Sequence, residues 1–301
     1  MTSILNDGSD RPPRVRLDMN LATLWNLPAW SRGPTGGSPR VQLRALRAAG
    51  FEGVQSILPI DAAEARDADL HVVGLARVMT IAELETVVGD HCAVGFQGST
   101  LLAGTGLEGD DEASAWAEAI VGLSARYAYP LFLETHRGSV TQDVRRTVEL
   151  VDRFPALRFT GDLSHWYTGH EFGQGDTRAK LDFIEPVLRR VRLIHGRLSH
   201  AGAIQVSPVG RRDEPFVGHF QKMWRRCFEG FLAEAGPGDV IVFAPELLPA
   251  EVELGATRFQ LNYAHQALDA QGAWREESDR WTDALELCAL ARDCFALAAG
   301  A

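Results

Sequence analysis

The chain nowhere has an uninterrupted apolar run of the ~18 residues that crosses a bilayer, and its opening residues, MTSILNDGSDRPPR, hold no apolar signal core. Both absences point to a cytoplasmic protein with no membrane contact and a flexible tail over residues 1–13. Cysteine is scarce. Cys92, Cys227, Cys288 and Cys294 form no C-x-x-C pair, so neither structural zinc nor a disulfide framework is expected, and the last two read as small core hydrophobes. Basic charge is not in excess either: Asp and Glu number 40 against 30 Lys and Arg, a net charge of −10. That balance gives no field for nucleic acid or an anionic membrane. A G-x-G-x-x-G turn, an internal repeat and a low-complexity tract are also absent.

What is present is regular alternation. With 301 residues and 46% hydrophobic content the chain can bury a large core. Strand-like runs at 14–21, 51–57, 71–78, 93–99, 130–135, 157–164, 192–198 and 239–246 are separated by segments of helical period. The clearest stripe is Phe220, Met223, Trp224, Cys227, Phe228, Phe231 and Leu232. Other helical segments are expected at 38–50, 61–70, 80–90, 110–128, 142–154, 178–190 and 278–296. Ser139 and Gln142, three residues apart, read as a capping box for the helix after LETHRG. Eight strand–helix units without a Gly-rich first turn predict a single-domain (β/α)8 TIM barrel over residues 14–301 rather than an open doubly wound sheet. The segment 247–277 is too long for an ordinary βα connection and is expected to cover a site.

The stretch LFLETHRGS, residues 131–139, runs from strand straight into a crowded polar tip. In a barrel the carboxyl ends of the strands share one face. Glu134 ends the fifth strand, Asp162 ends the sixth, His195 lies in the seventh and Glu246 ends the eighth, so four neighbouring strands aim a metal-ligand type at one place. Singly, each has a plainer reading: an exposed carboxylate, a turn cap, a core histidine. Jointly they do not, because buried carboxylates need partners. Two carboxylates ~4 Å apart repel by about 4 kcal/mol at an effective dielectric of ~20, so three require protons or a cation. Oxygen-rich ligation with one imidazole suits Mn²⁺ first, with Mg²⁺, Co²⁺ or Zn²⁺ also accommodated.

The ordered set Glu134, Asp162 with His165 in DLSH, His195 and Glu246 resembles the xylose-isomerase-like TIM-barrel superfamily of sugar isomerases and epimerases, over about residues 14–296. The resemblance implies that Glu134, Asp162, His195 and Glu246 hold the metal, that the two glutamates serve as acid and base, and that His165 contacts substrate oxygen. The chain departs from ketose epimerases at Val140, where they carry a glutamate, and at Ala201, where they carry an arginine; Arg197 lies nearer the ligand histidine. It also lacks the extra histidines of the endonuclease branch.

Of the remaining residues, His136 and Arg137 either line the site or orient Glu134. Trp166 either stacks on a sugar ring or packs in the core. Arg197 is a candidate for binding substrate oxygen or an anion, and Arg211 with Arg212 reads better as a solvated pair. The leading expectation is a metal-dependent isomerase or epimerase of a sugar or related α-hydroxycarbonyl compound, in which two glutamates move a proton through an enediolate. The alternatives are a metal-dependent dehydratase or hydrolase on the same frame, or a ligand-binding barrel without chemistry. A small sugar-like substrate is the expected partner, and a homo-oligomer stays open.

Overall fold

A computed structural model describes residues 4–57, 62–254 and 257–300. Residues 1–3 of the expected tail, position 61 of an expected helix and positions 255–256 of the long segment lie outside the described residues. Eight parallel strands pair in chain order: β1 Arg14–Asn20, β2 Gly53–Ser56, β3 His71–Val78, β4 Ser99–Ala103, β5 Leu131–Glu134, β6 Phe159–Gly161, β7 Val191–Gly196 and β8 Asp239–Pro245. The ring closes at β8, which pairs with β1 from Val240↔Arg14 to Phe243↔Leu17 and with β7 from Val242↔Leu193 to Pro245↔Gly196. Around it run α1 Pro39–Ala48, α2 Ala62–Asp67, α3 Ile81–Ala93, α4 Asp110–Tyr127, α5 Val144–Arg153, α6 Leu163–Gly169, α7 Thr177–Leu188, α8 Pro215–Leu232 and α9 Arg280–Ala298. The chain is a single-domain (β/α)8 TIM barrel.

Two apolar layers hold it. The larger joins the outer faces of the strands to the helices and includes the stripe of α8, where Phe220, Trp224, Cys227, Phe228 and Phe231 are fully buried. Each large side chain so buried contributes roughly 1.5–3 kcal/mol. The smaller joins Leu5, Val73, Phe132, Leu193, Val240, Val242 and Ala244. Side chains two residues apart on a strand share a face, so Phe132 leads to Glu134, Leu193 to His195, and Val242 and Ala244 to Glu246. Apolar filling low in the barrel thereby places polar groups above it. Cys288 and Cys294 of α9 are buried, as expected.

Several boundaries differ from the sequence reading. The fourth strand is Ser99–Ala103, not 93–99, because α3 continues to Ala93 and the chain turns at Gly95 with φ +80°. The sixth strand stops at Gly161, and Asp162 caps α6 by accepting from Ser164 N–H. Ser139 and Gln142 do not cap α5; Asp143 does, accepting from Arg146 N–H, while Ser139 Oγ donates to the His136 carbonyl. The tail is not loose throughout. Leu5–Asn6 pairs antiparallel with Val240 and Asp239, and Leu5 is buried. The segment 247–277 forms two hairpins, Glu251–Leu254 with Thr257–Gln260 and Gln266–Leu268 with Trp274–Glu276. No helix among the described residues is long and apolar enough to cross a membrane.

Arg280, the first residue of α9, ties this end of the barrel together. It is 1% exposed and donates to the carbonyls of Thr23, Trp25 and Asn26 and to Glu276 Oε2 at 2.8 Å. Thr23 Oγ1 in turn donates to the Pro245 carbonyl and accepts from Leu247 N–H, on either side of Glu246. Arg280→Met leaves these acceptors buried and unpaired, so a loss of about 3 kcal/mol is expected in urea unfolding. A change below about 0.5 kcal/mol would contradict this role.

Candidate functional site

The four residues expected to meet do meet. Glu134, Asp162, His195 and Glu246 are all buried, and one ligand atom from each lies within 4.8 Å of the other three. His195 Nδ1 is 3.2 Å from Glu246 Oε2, 3.8 Å from Glu134 Oε1 and 3.8 Å from Asp162 Oδ2. Its Nε2 lies 2.8 Å from Gln55 Oε1. An amide oxygen only accepts, so Nε2 carries a proton and Nδ1 is the nitrogen turned to the carboxylates. That buried Nδ1 has no hydrogen-bond partner among the described residues. An orphaned imidazole nitrogen facing three carboxylate oxygens fits a divalent cation, which Glu134, Asp162, His195 and Glu246 would hold.

A polar chain across the barrel fixes these groups. Gln55 Nε2 donates to Thr100 Oγ1, which is 2.6 Å from Thr160 Oγ1. Asn20 Nδ2 donates both to Gln55 Oε1 and to Glu246 Oε1 at 3.0 Å. One amide pair therefore orients both the imidazole and a carboxylate. Asn20 and Gln55 were not singled out from the sequence; their signal was a polar residue inside or ending a strand-like run, which becomes informative only once the barrel closes.

Arg197 lies in the same cluster. Its Nη2 donates to Asp162 Oδ2 and to Glu246 Oε2, the latter at 3.0 Å, and its Nε donates to Ser164 Oγ. From the 247–277 segment, Tyr263 places its ring centroid 4.9 Å from the Arg197 guanidinium carbon and 5.5 Å from that of Arg137. His165 Nε2 is 3.4 Å from Asp162 Oδ2, and the His165 and His136 rings are 3.8 Å apart. Trp166 is not at the site. It is 2% exposed in the core, with its indole N–H donating to the Thr141 carbonyl, so it offers no face for a sugar ring. Arg211 and Arg212 pair with Glu277 and Glu286 away from the cluster.

Burial pushes the Glu134 carboxyl up to about 8. Burial opposes charge on His195, yet the facing Glu246 and Glu134 hold its pKa up at about 10. Burial also works to raise Asp162, but the Arg197 guanidinium together with the neighbouring imidazoles outweighs it, and Asp162 stays well below the ordinary range. Burial is the largest influence on His136, lowering the imidazole to about 3 with the neighbouring His165 acting in the same direction, and burial also lowers His165, against the opposing pull of Asp162. At pH 7 without a cation, His195 and most of Glu134 therefore carry protons that ligation must expel. Metal affinity should rise with pH through 8 and towards 10 and fall in acid. Titration calorimetry in buffers of different ionisation enthalpy is expected to show release of about one to two protons per Mn²⁺ at pH 7. Binding without proton release would contradict the ligand set.

No protein-family model matches the chain, and no curated protein matches it by sequence. Its fold is similar to that of a xylose isomerase-like TIM-barrel protein from Mycobacterium smegmatis, solved in complex with magnesium, at 13% identity and a TM-score of 0.52 over 96% of this chain and 98% of that one. A sugar phosphate isomerase/epimerase from Parabacteroides distasonis is similar at 10% identity and a TM-score of 0.50 over 98% of both chains. The chain thus shares the barrel fold of the xylose isomerase-like proteins.

Proposed function

We propose that the protein is a divalent-metal-dependent isomerase or epimerase acting on a small sugar or related α-hydroxycarbonyl compound. The observation that carries this reading is the convergence of two buried glutamates, from β5 and the end of β8, on the point that Asp162 and His195 also face. Proton transfer at a carbon next to a carbonyl needs one group to take the proton and another to return it. Glu134 and Glu246 supply such a pair, reaching the point from different strands. A divalent ion bound there, with Mn²⁺ or Mg²⁺ matching the oxygen-rich donors, would act as a Lewis acid on the carbonyl and adjacent hydroxyl and so stabilise the enediolate.

The surrounding residues serve that chemistry. Asn20 holds Glu246 Oε1, leaving Oε2 turned to His195 and Arg197. Arg197, whose Nη1 has no hydrogen-bond partner among the described residues, donates towards substrate oxygens as negative charge develops there. His136 sits against His165 on the side of Glu134. Tyr263, laid on Arg197, keeps water from the carbanion-like intermediate, and the two hairpins that flank it act as the cover.

Product analysis by NMR in D₂O tests the reading, using a panel of ketoses, sugar phosphates and inososes with Mn²⁺ supplied. Deuterium incorporated at the exchanging carbon without loss of water is expected. A dehydrated product would replace the reading with a lyase. Cleavage without carbon-bound exchange would replace it with a hydrolase.

A further inference from the structure

His136, His165 and Glu134 form a second group whose ligand atoms lie within 4.8 Å of one another. The hydrogen bonds of the two imidazoles show which nitrogen of each is bare. His136 Nδ1 sits on the carbonyl of Arg137. A carbonyl can only accept, so Nδ1 carries the proton and Nε2 presents a lone pair. For His165, Nε2 is near both Asp162 Oδ2, at 3.4 Å, and Arg197 Nη2, at 3.5 Å. Nη2 has two hydrogens, and Asp162 Oδ2 and Glu246 Oε2 take both. His165 Nε2 is therefore the donor to Asp162, and Nδ1 is bare. That Nδ1 is buried on a residue 3% exposed and has no hydrogen-bond partner among the described residues.

Each imidazole thus has one nitrogen anchored to an oxygen acceptor and the other left as an open lone pair. This is how a protein orients histidines that ligate metal. Two neutral imidazoles with free lone pairs, packed with ring centroids 3.8 Å apart beside a buried carboxylate, leave a buried acceptor unsatisfied unless a cation takes it.

We propose that His136, His165 and Glu134 hold a second divalent cation, adjacent to the first and sharing Glu134 with it. The inference rests on Glu134 being a ligand of the first centre and goes beyond it. The two sites differ in kind. Three carboxylates and one imidazole suit a hard ion such as Mn²⁺ or Mg²⁺, whereas two imidazoles and one carboxylate are a set for Zn²⁺ or Co²⁺ with a position open to a further ligand. The cluster carries three carboxylates and Arg197. Two divalent ions there leave an excess positive charge, so the open position takes hydroxide or an anionic oxygen.

Equilibrium dialysis of the full chain against Co²⁺ at pH 8, followed by visible absorption, tests the site. Wild type is expected to bind about two Co²⁺, as a two-metal centre requires, with the intense absorption of four-coordinate Co²⁺ appearing on the second equivalent. His136→Ala and His136→Gln are expected to keep the first ion and lose both the second and its absorption; circular dichroism confirms which variant is folded. A wild type that saturates at one ion overturns the second site alone. Variants that retain two ions also overturn it. A wild type that binds none overturns the second site together with the first centre.

Discussion

Glu246→Gln, with the divalent ion still bound, is expected to slow exchange of the substrate's carbon-bound proton with solvent by ~10² to 10⁴, equivalent to about 3 to 5 kcal/mol of barrier. The amide keeps the size of the side chain and one coordinating oxygen but cannot accept the proton. The surroundings add a second effect. Asn20 donates to Oε1 and Arg197 to Oε2, so an amide there must point its NH₂ at one donor. Mn²⁺ affinity falls as well, and occupancy has to be confirmed at each assay. Glu134→Gln is expected to give a loss of the same order. Solvent deuterium exchange followed by NMR reads both variants. Near-normal exchange in either, with metal present, removes that glutamate from proton transfer.

Arg197→Met is expected to destabilise the metal-free protein by about 3 to 5 kcal/mol, because it strands the buried carboxylates of Asp162 and Glu246. Arg197 Nη2 donates to Asp162 Oδ2 and Glu246 Oε2, the same oxygens that lie near His195 Nδ1. The guanidinium therefore neutralises part of the charge that a cation would neutralise. Saturating Mn²⁺ should then restore most of the variant's lost stability, and raise the wild type less. Urea unfolding of both proteins in EDTA and in Mn²⁺ measures the four values. An equal loss under both conditions would mean that the arginine acts by packing, through Tyr263, and not by charge.

The barrel and the convergence of Glu134, Asp162, His195 and Glu246 were legible because they rest on the simplest periodicities. Period-two alternation carries Phe132 to Glu134 and Leu193 to His195, and the helical spacing of α8 shows its buried face directly. The fourth strand was misplaced because AVGFQGS is a short apolar run, and such runs do not separate a helix end from a strand; Gly95 at positive φ makes it a turn. Trp166 was ambiguous for another reason. It follows His165 in the same short helix, and neighbouring positions of a helix point about 100° apart, so one reaches the site and the other the core. Asn20 and Gln55 were hidden because their meaning depends on β1 and β2 closing against β7 and β8, a contact across 140 residues between Gln55 and His195. The hairpins of the 247–277 segment show little alternation, and Thr257–Gln260 is exposed throughout. Among the described hairpin residues Val252 alone is buried, too little to write a pattern.

Glu134, Asp162, His195 and Glu246 are expected to hold a divalent ion. A crystal of the protein grown with Mn²⁺ and measured for anomalous scattering at the manganese edge tests it most directly. The expected result is a strong peak among these four side chains, ligated by His195 through Nδ1 while Nε2 stays on Gln55. A map with no peak there, with the Arg197 guanidinium still bridging Asp162 and Glu246, would contradict it.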